Sequence, residues 1–232
     1  MTFRAAWNMS QFEVITFDCY GTLIDWKTGI RNAFQEALDK TGSQRKLADD
    51  AVKFYAEEEA RIESDNSGAL YRQILSKTVL AVAQRIGWTL DESDSGFLAD
   101  DLPSWKPFQD TNPALERLAR QHSLGILSNV DNDLLAATLK HLRPQFNFLV
   151  TAQNVGSYKP SLGHFKEARK LVGDRSWLHV AASRFHDIDP AVKLGIKAAW
   201  INRMNQPVPP GDSSLKFWTF RDLSELADWL HC

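Results

Sequence analysis

Short apolar runs recur along this chain, and most of them end at a polar or small residue. Val14-Ile15-Thr16-Phe17 stops at Asp18, Leu124-Gly125-Ile126-Leu127 stops at Ser128-Asn129, and Phe148-Leu149-Val150-Thr151 and Leu178-His179-Val180-Ala181 follow. A further strand is predicted over residues 198–203. Such runs, without polar alternation, are what strands covered on both faces look like, which means a parallel sheet. Between them, apolar residues at helical spacing predict helices near residues 113–121, 133–142 and 222–230. The strand-helix alternation predicts an α/β fold with a doubly wound, largely parallel sheet. Residues 29–100 read differently: Ile30, Phe34, Leu38 and later Leu70, Ile74 and Leu75 fall at helical spacing amid charge, with no convincing strand. The expected organisation is therefore an α/β core of residues 11–27 and 106–232 with an inserted helical cap of residues 28–105. Within the cap, the polar run 57–67 reads as a solvated helix face plus loop, broken at Ser67-Gly68. Residues 1–10 read as a loose tail and 207–212 as a turn-rich loop.

Composition narrows the partners. The 232 residues carry 27 Lys and Arg against 29 Asp and Glu, a net charge of −2, which gives no reason to expect nucleic acid or an anionic membrane. A small ligand is the better expectation. No stretch of about 18 apolar residues is present, and residues 1–11 lack a leader pattern, so neither a membrane span nor secretion is expected. Two cysteines, Cys19 and Cys232, cannot make a disulfide framework. Their number suits a reducing compartment, and the expected location is the cytoplasm.

The chemistry gathers at the ends of the strands. Asp18 ends the first strand, and Gly21-Thr22 turn the chain sharply behind it. That puts a carboxylate at the carboxyl edge of the sheet, where open α/β sheets bind ligands. Taken alone, Asp18 closes an Asx turn, Ser128-Asn129 and His186-Asp187 cap helices, and Lys159 is a surface lysine. Placed beside a lysine and backbone N–H groups in a partly dry pocket, however, the same carboxylate is a nucleophile. Trp26 and Trp105, at the two ends of the helical insertion, are candidates for lining such a pocket, whereas Trp88 reads as packing.

The stretches FDCYGTLIDW, LGILSN, GSYKP and Ser183–Asp187 resemble, in order, the four motifs of the haloacid dehalogenase superfamily. They are most similar to its L-2-haloacid dehalogenase-like branch, and also to L-azetidine-2-carboxylate hydrolase. The resemblance implies a Rossmann-like core with a cap after the first strand, and an enzyme that forms an aspartyl ester at Asp18. Lys159 would keep Asp18 ionised, and Asp187, helped by His186, would activate water. Cys19, Tyr20, Ser128 and Asn129 would hold a small carboxylic acid substrate. Tyr20 stands where the phosphatases of this superfamily carry a second aspartate, and Ala181-Ala182 where they carry Gly-Asp, so the resemblance implies no metal and no cofactor. The expected reaction is displacement of a group from the 2-carbon, with a 2-haloacid as the first substrate class and ring opening, phosphate ester hydrolysis or binding without turnover as alternatives. Departures stand at Phe165, where those dehalogenases carry tyrosine, and at Ala182 and Arg184, where they carry Ser and Asn. A cap arginine is expected to receive halide, with Arg31, Arg45, Arg61 and Arg72 available and none singled out. The family and the eight tryptophans together suggest a homodimer.

Overall fold

The computed structural model describes residues 12–41, 46–207 and 217–232. The tail 1–10, Arg45 and most of the 207–212 loop lie outside the described residues. Strands β1 (Val14–Phe17), β2 (Ser123–Ser128), β3 (Phe148–Thr151), β4 (Trp177–Ala181), β5 (Lys197–Ile201) and β6 (Phe217–Phe220) form one sheet. Its order is β3-β2-β1-β4-β5-β6 and every pairing is parallel. The chain runs outward from β1 to β3, then returns to lay β4 on the other side of β1. That reversal opens a crevice at the carboxyl ends of β1 and β4, and Asp18 is the residue that follows β1.

Helices α1 (Trp26–Lys40), α2 (Lys46–Asp65), α3 (Tyr71–Arg85) and α4 (Phe97–Asp101) come between β1 and α5 (Thr111–Leu118). The remaining helices are α6 (Asn132–Thr138), α7 (Ala152–Val155), α8 (Gly163–Val172), α9 (Asp189–Lys193) and α10 (Leu223–Trp229). α1 begins at Asp25, whose carboxylate accepts from the Thr28 N–H at 3.2 Å and the Thr28 hydroxyl at 2.7 Å. Ile30, Ala33, Phe34 and Leu38 form its buried stripe. Phe34 meets Trp88 and Phe97 edge-on, which makes Trp88 part of the packing between α1 and the segment after α3.

Each face of the sheet has its own packing. Val14, Leu127, Val150 and Trp200 pack with Phe165 and Ala168 of α8 and Ala191 of α9. Ile15, Phe17, Ile126 and Val180 belong to the larger cluster that continues into α1 to α4. Gly125 is required by its neighbour, because a Cβ there would lie 2.5 Å from the Phe148 ring. The helical layer is also fastened to the sheet edge. Asp131, 2% exposed, accepts the N–H groups of Tyr71 and Arg72 at the start of α3, at 2.8 and 3.0 Å. The Tyr158 hydroxyl donates to the Ala69 carbonyl at 2.8 Å.

Two expectations are corrected here. β6 was not anticipated, although Phe-Trp-Thr-Phe is rich in strand-forming types. The run 57–67 is helix to Asp65 and turn beyond it, with Glu57, Arg61, Ser64 and Asp65 exposed as expected, but Glu58 and Glu63 are buried among the helices packed against α2.

Candidate active site

Three elements bring a charged triad together. Asp18 follows β1, Lys159 lies between α7 and α8, and Asp187 lies in a single π-helical turn, Arg184–Ile188, after β4. The Lys159 ammonium, 1% exposed, donates to Asp18 Oδ1 at 2.9 Å, Asp187 Oδ1 at 2.6 Å and the Leu127 carbonyl at 2.8 Å. Its three N–H groups thus have three acceptors, the condition under which an ammonium survives burial. Asn129 holds this lysine from behind. Its amide oxygen accepts the Lys159 N–H at 2.7 Å and its NH₂ donates to the Lys159 carbonyl at 3.1 Å. Thr22 braces the nucleophile turn, its hydroxyl donating to Asp18 Oδ2 at 2.8 Å while accepting the Ala182 N–H at 2.9 Å.

The electrostatics follow from this geometry. Burial alone would depress the Lys159 ammonium, but the charges of Asp18 and Asp187 outweigh it and raise its pKa above the ordinary lysine value. Burial opposes ionisation of Asp187 too, yet Lys159 and His179 pull its carboxyl below the ordinary range. In Asp18 burial dominates and raises the carboxyl, with Lys159 and Thr22 working the other way. The ammonium that Asp18 shares with a second carboxylate favours its charged form, the state a nucleophile needs, against the cost of burial.

A cavity of about 480 Å³ has Tyr20, Trp26, Trp105, Ser183 and His186 in its walls, so residues close in sequence to Asp18 and Asp187 line it while the triad itself does not. The Trp26 ring packs on Tyr55 with centroids 5.7 Å apart, and Tyr20 stands edge-on to Trp105 at 6.0 Å. Gly29 permits this wall, since a Cβ there would be 2.4 Å from the Trp105 ring. Both tryptophans singled out from the sequence therefore face the cavity. Cys19 is fully buried and is not in these walls, and the Tyr20 hydroxyl pairs with Thr138 at 2.8 Å. The Ser128 hydroxyl is buried and has no hydrogen-bond partner among the described residues, so an acceptor or donor from a ligand would satisfy it.

Magnesium does not fit these residues. Lys159 occupies the space between Asp18 and Asp187, Tyr20 offers a phenol whose ionisation burial strongly opposes, and no third carboxylate joins them. Mg²⁺ prefers an octahedral oxygen shell, and among the described residues no group of three or more His, Cys, Asp or Glu is placed to hold a metal.

Some groups differ from expectation. His186 does not orient Asp187: its Nδ1 lies 3.1 Å from the Ser183 hydroxyl, and the histidine on Asp187 is His179, Nε2 to Oδ1 at 3.0 Å. Arg31 pairs with Asp49, Arg61 with Glu58 and Asp65, and Arg72 with Asp131 and Asp133, so none of these lines the cavity. The wall contributed by α2 is acidic. Glu59, in the cavity lining, accepts from the Tyr55 and Tyr71 hydroxyls at 2.7 and 2.5 Å. Glu63, one turn on, has an oxygen 3.5 Å from the Asn129 amide nitrogen. Arg203, which also lines the cavity, is held by Asp110 at 2.9 Å and stacks on Phe108. A signal for Glu59 and Glu63 existed in their i, i+4 spacing within a helix that also carries Tyr55, but burial was needed to give it meaning.

Burial and the neighbouring Glu59 push the Glu63 carboxyl up to about 9. It is protonated at neutral pH, and its contribution to stability is present below the unfolded value near 4.5 and lost as pH rises through about 9. Glu63→Gln imitates the protonated form. It is expected to gain on the wild type between pH 5 and pH 9, by up to about 1 kcal/mol per pH unit. Urea denaturation at pH 5, 7 and 9 measures this, and parallel stability curves would refute it.

A model of the haloacid dehalogenase-like hydrolases matches residues 12–182, so the chain belongs to that family of hydrolases. Among solved structures, an L-2-haloacid dehalogenase is 25% identical, with a TM-score of 0.73 over 94% of this chain and 99% of that one. The Xanthobacter autotrophicus L-2-haloacid dehalogenase with chloropropionic acid covalently bound is 18% identical, TM-score 0.76, over 95% and 98%. A HAD hydrolase from Bacillus subtilis bound to magnesium is 17% identical, TM-score 0.79, over 96% and 100%. No curated relative matches the sequence.

Proposed function

We propose that this hydrolase displaces a substituent from the 2-carbon of a small carboxylic acid through an ester of Asp18, with 2-haloacids the first substrate class. The observation that carries this reading is the single ammonium of Lys159 shared by Asp18 and Asp187, 2.9 and 2.6 Å away. Asp18 attacks the sp³ carbon from behind, a C–O bond forms as the bond to the leaving group breaks, and the leaving group takes the electron pair. Lys159 keeps Asp18 ionised and disperses charge as the ester forms. The buried Ser128 hydroxyl and the Cys19 backbone hold the substrate carboxylate. Water, its proton accepted by Asp187, then cleaves the ester and returns Asp18 to the carboxylate. The likeness to the L-2-haloacid dehalogenases supports the same reading.

One observation favours a second leaving group. Halide departing toward α2 would meet Glu59 and Glu63, and among the described residues the cavity has no arginine from α1 to α4. Glu63, protonated at neutral pH, can instead give its proton to a departing ring nitrogen, as in a strained cyclic amino acid whose ring opens on attack. Purified protein offered (S)-2-chloropropionate and azetidine-2-carboxylate, with halide and ring-opened product measured together, separates the two. If only phosphate esters were turned over, both readings would fail. In ¹⁸O-water, a first turnover is expected to label Asp18 and leave the product unlabelled; label in the first-turnover product would mean direct attack by water.

A further inference from the structure

Asp187 is fixed by more than Lys159. His179 is fully buried in β4, and the parallel register sets it beside Thr16 in β1. The Trp177 indole N–H lies 2.7 Å from the Thr16 hydroxyl oxygen, that oxygen lies 2.9 Å from His179 Nδ1, and His179 Nε2 lies 3.0 Å from Asp187 Oδ1. The indole can only donate, so Thr16 accepts from it. The threonine hydroxyl keeps one hydrogen to give, and His179 Nδ1 stands in its reach as acceptor. The ring therefore carries its hydrogen on Nε2 and donates it to Asp187. Phe165 packs edge-on against the imidazole at 5.2 Å, filling the space beside it with hydrocarbon.

We infer that Trp177, Thr16 and His179 form a one-way hydrogen-bond relay whose purpose is to hold Asp187 as an ionised acceptor, with His179 a positioning residue for the water-activating step. The inference rests on the role assigned to Asp187 under the proposed function. Both fixed bonds, from His179 and Lys159, land on Oδ1, which leaves Oδ2 as the oxygen to take a proton from water. The depressed carboxyl of Asp187, to which the His179 hydrogen bond contributes, agrees with this arrangement. The same logic operates where the partner of one imidazole nitrogen decides what the other can do.

The test begins with the intact protein labelled with ¹⁵N-histidine. The His179 resonances are expected to show one tautomer, hydrogen on Nε2, whereas hydrogen on Nδ1 overturns the relay. Thr16→Val removes the hydroxyl at nearly constant volume and is expected to shift the His179 Nδ1 resonance, which loses its donor, while Nε2 keeps its hydrogen on the acceptor-only Asp187, with Thr16→Ser restoring the wild-type shift. An Nδ1 resonance unchanged in Thr16→Val also overturns it. With (S)-2-chloropropionate as probe, Thr16→Val is expected to lower kcat about tenfold at unchanged KM and to accumulate the ester as a mass increase on the protein. Single-tautomer spectra combined with unaltered ester hydrolysis would instead refute the assignment of Asp187 as the group that activates water, and with it the functional half of the inference.

Discussion

Asp18→Asn is expected to abolish turnover, by at least about a thousandfold, while leaving the fold intact. The amide keeps the size of the carboxylate, and its one oxygen can still accept from Lys159, now 2.9 Å from Oδ1, while its NH₂ faces the Thr22 hydroxyl, now 2.8 Å from Oδ2. What it lacks is the charge that makes the group a nucleophile. Measured kcat, with denaturation run in parallel, distinguishes a dead nucleophile from an unfolded protein. Residual activity within tenfold of wild type would remove Asp18 from the role. The acid limb of the wild-type rate carries the same argument: burial raises this carboxyl from 3.8, so activity is expected to fall, as pH drops, above the pH at which an ordinary aspartate protonates.

Lys159→Met is expected to cost the most stability of any single change in the site, about 3–5 kcal/mol, because it strands two buried carboxylates without their shared cation. The pH dependence has a definite sign. Lys159 holds the Asp187 carboxyl below its unfolded value, so that contribution is present above about pH 4 and vanishes as pH falls through the folded value. The penalty of the variant should therefore be largest at neutral pH and shrink in acid. Adding Asp187→Asn to Lys159→Met is expected to recover part of the loss at pH 7. A penalty independent of pH and unrelieved by the second change would mean that the methionine harms packing instead of charge balance.

The sheet was legible because burial on both faces leaves mostly apolar side chains in its strands: β1 through β5 each fall within a residue or two of their predicted places. β6 escaped because one of its neighbours in space is missing at the sheet edge, which leaves its residues half-exposed and without a clear period. The triad was legible through the order of its motifs, not through any one residue. The acidic wall was not, since Glu59 and Glu63 look like surface residues until α3 and the Asn129 loop close over them. His179 hid for the opposite reason. Inside the run Leu178-His179-Val180-Ala181 it reads as one polar residue in a strand, and only the register that sets it beside Thr16 turns two such residues into a connected pair.

The grip of Asp131 on the start of α3 is a firm attachment of the helical layer to the sheet edge. Two backbone N–H groups on one buried carboxylate form charge-assisted bonds, and parting them would leave that carboxylate dry and unpaired. Across the cavity, Lys27 and Met204, both in its lining and both exposed, meet only through an ammonium-thioether contact of 3.9 Å. The helical layer is thus held to the core unequally, by two charge-assisted bonds at Asp131 and by one weak contact at Lys27 and Met204.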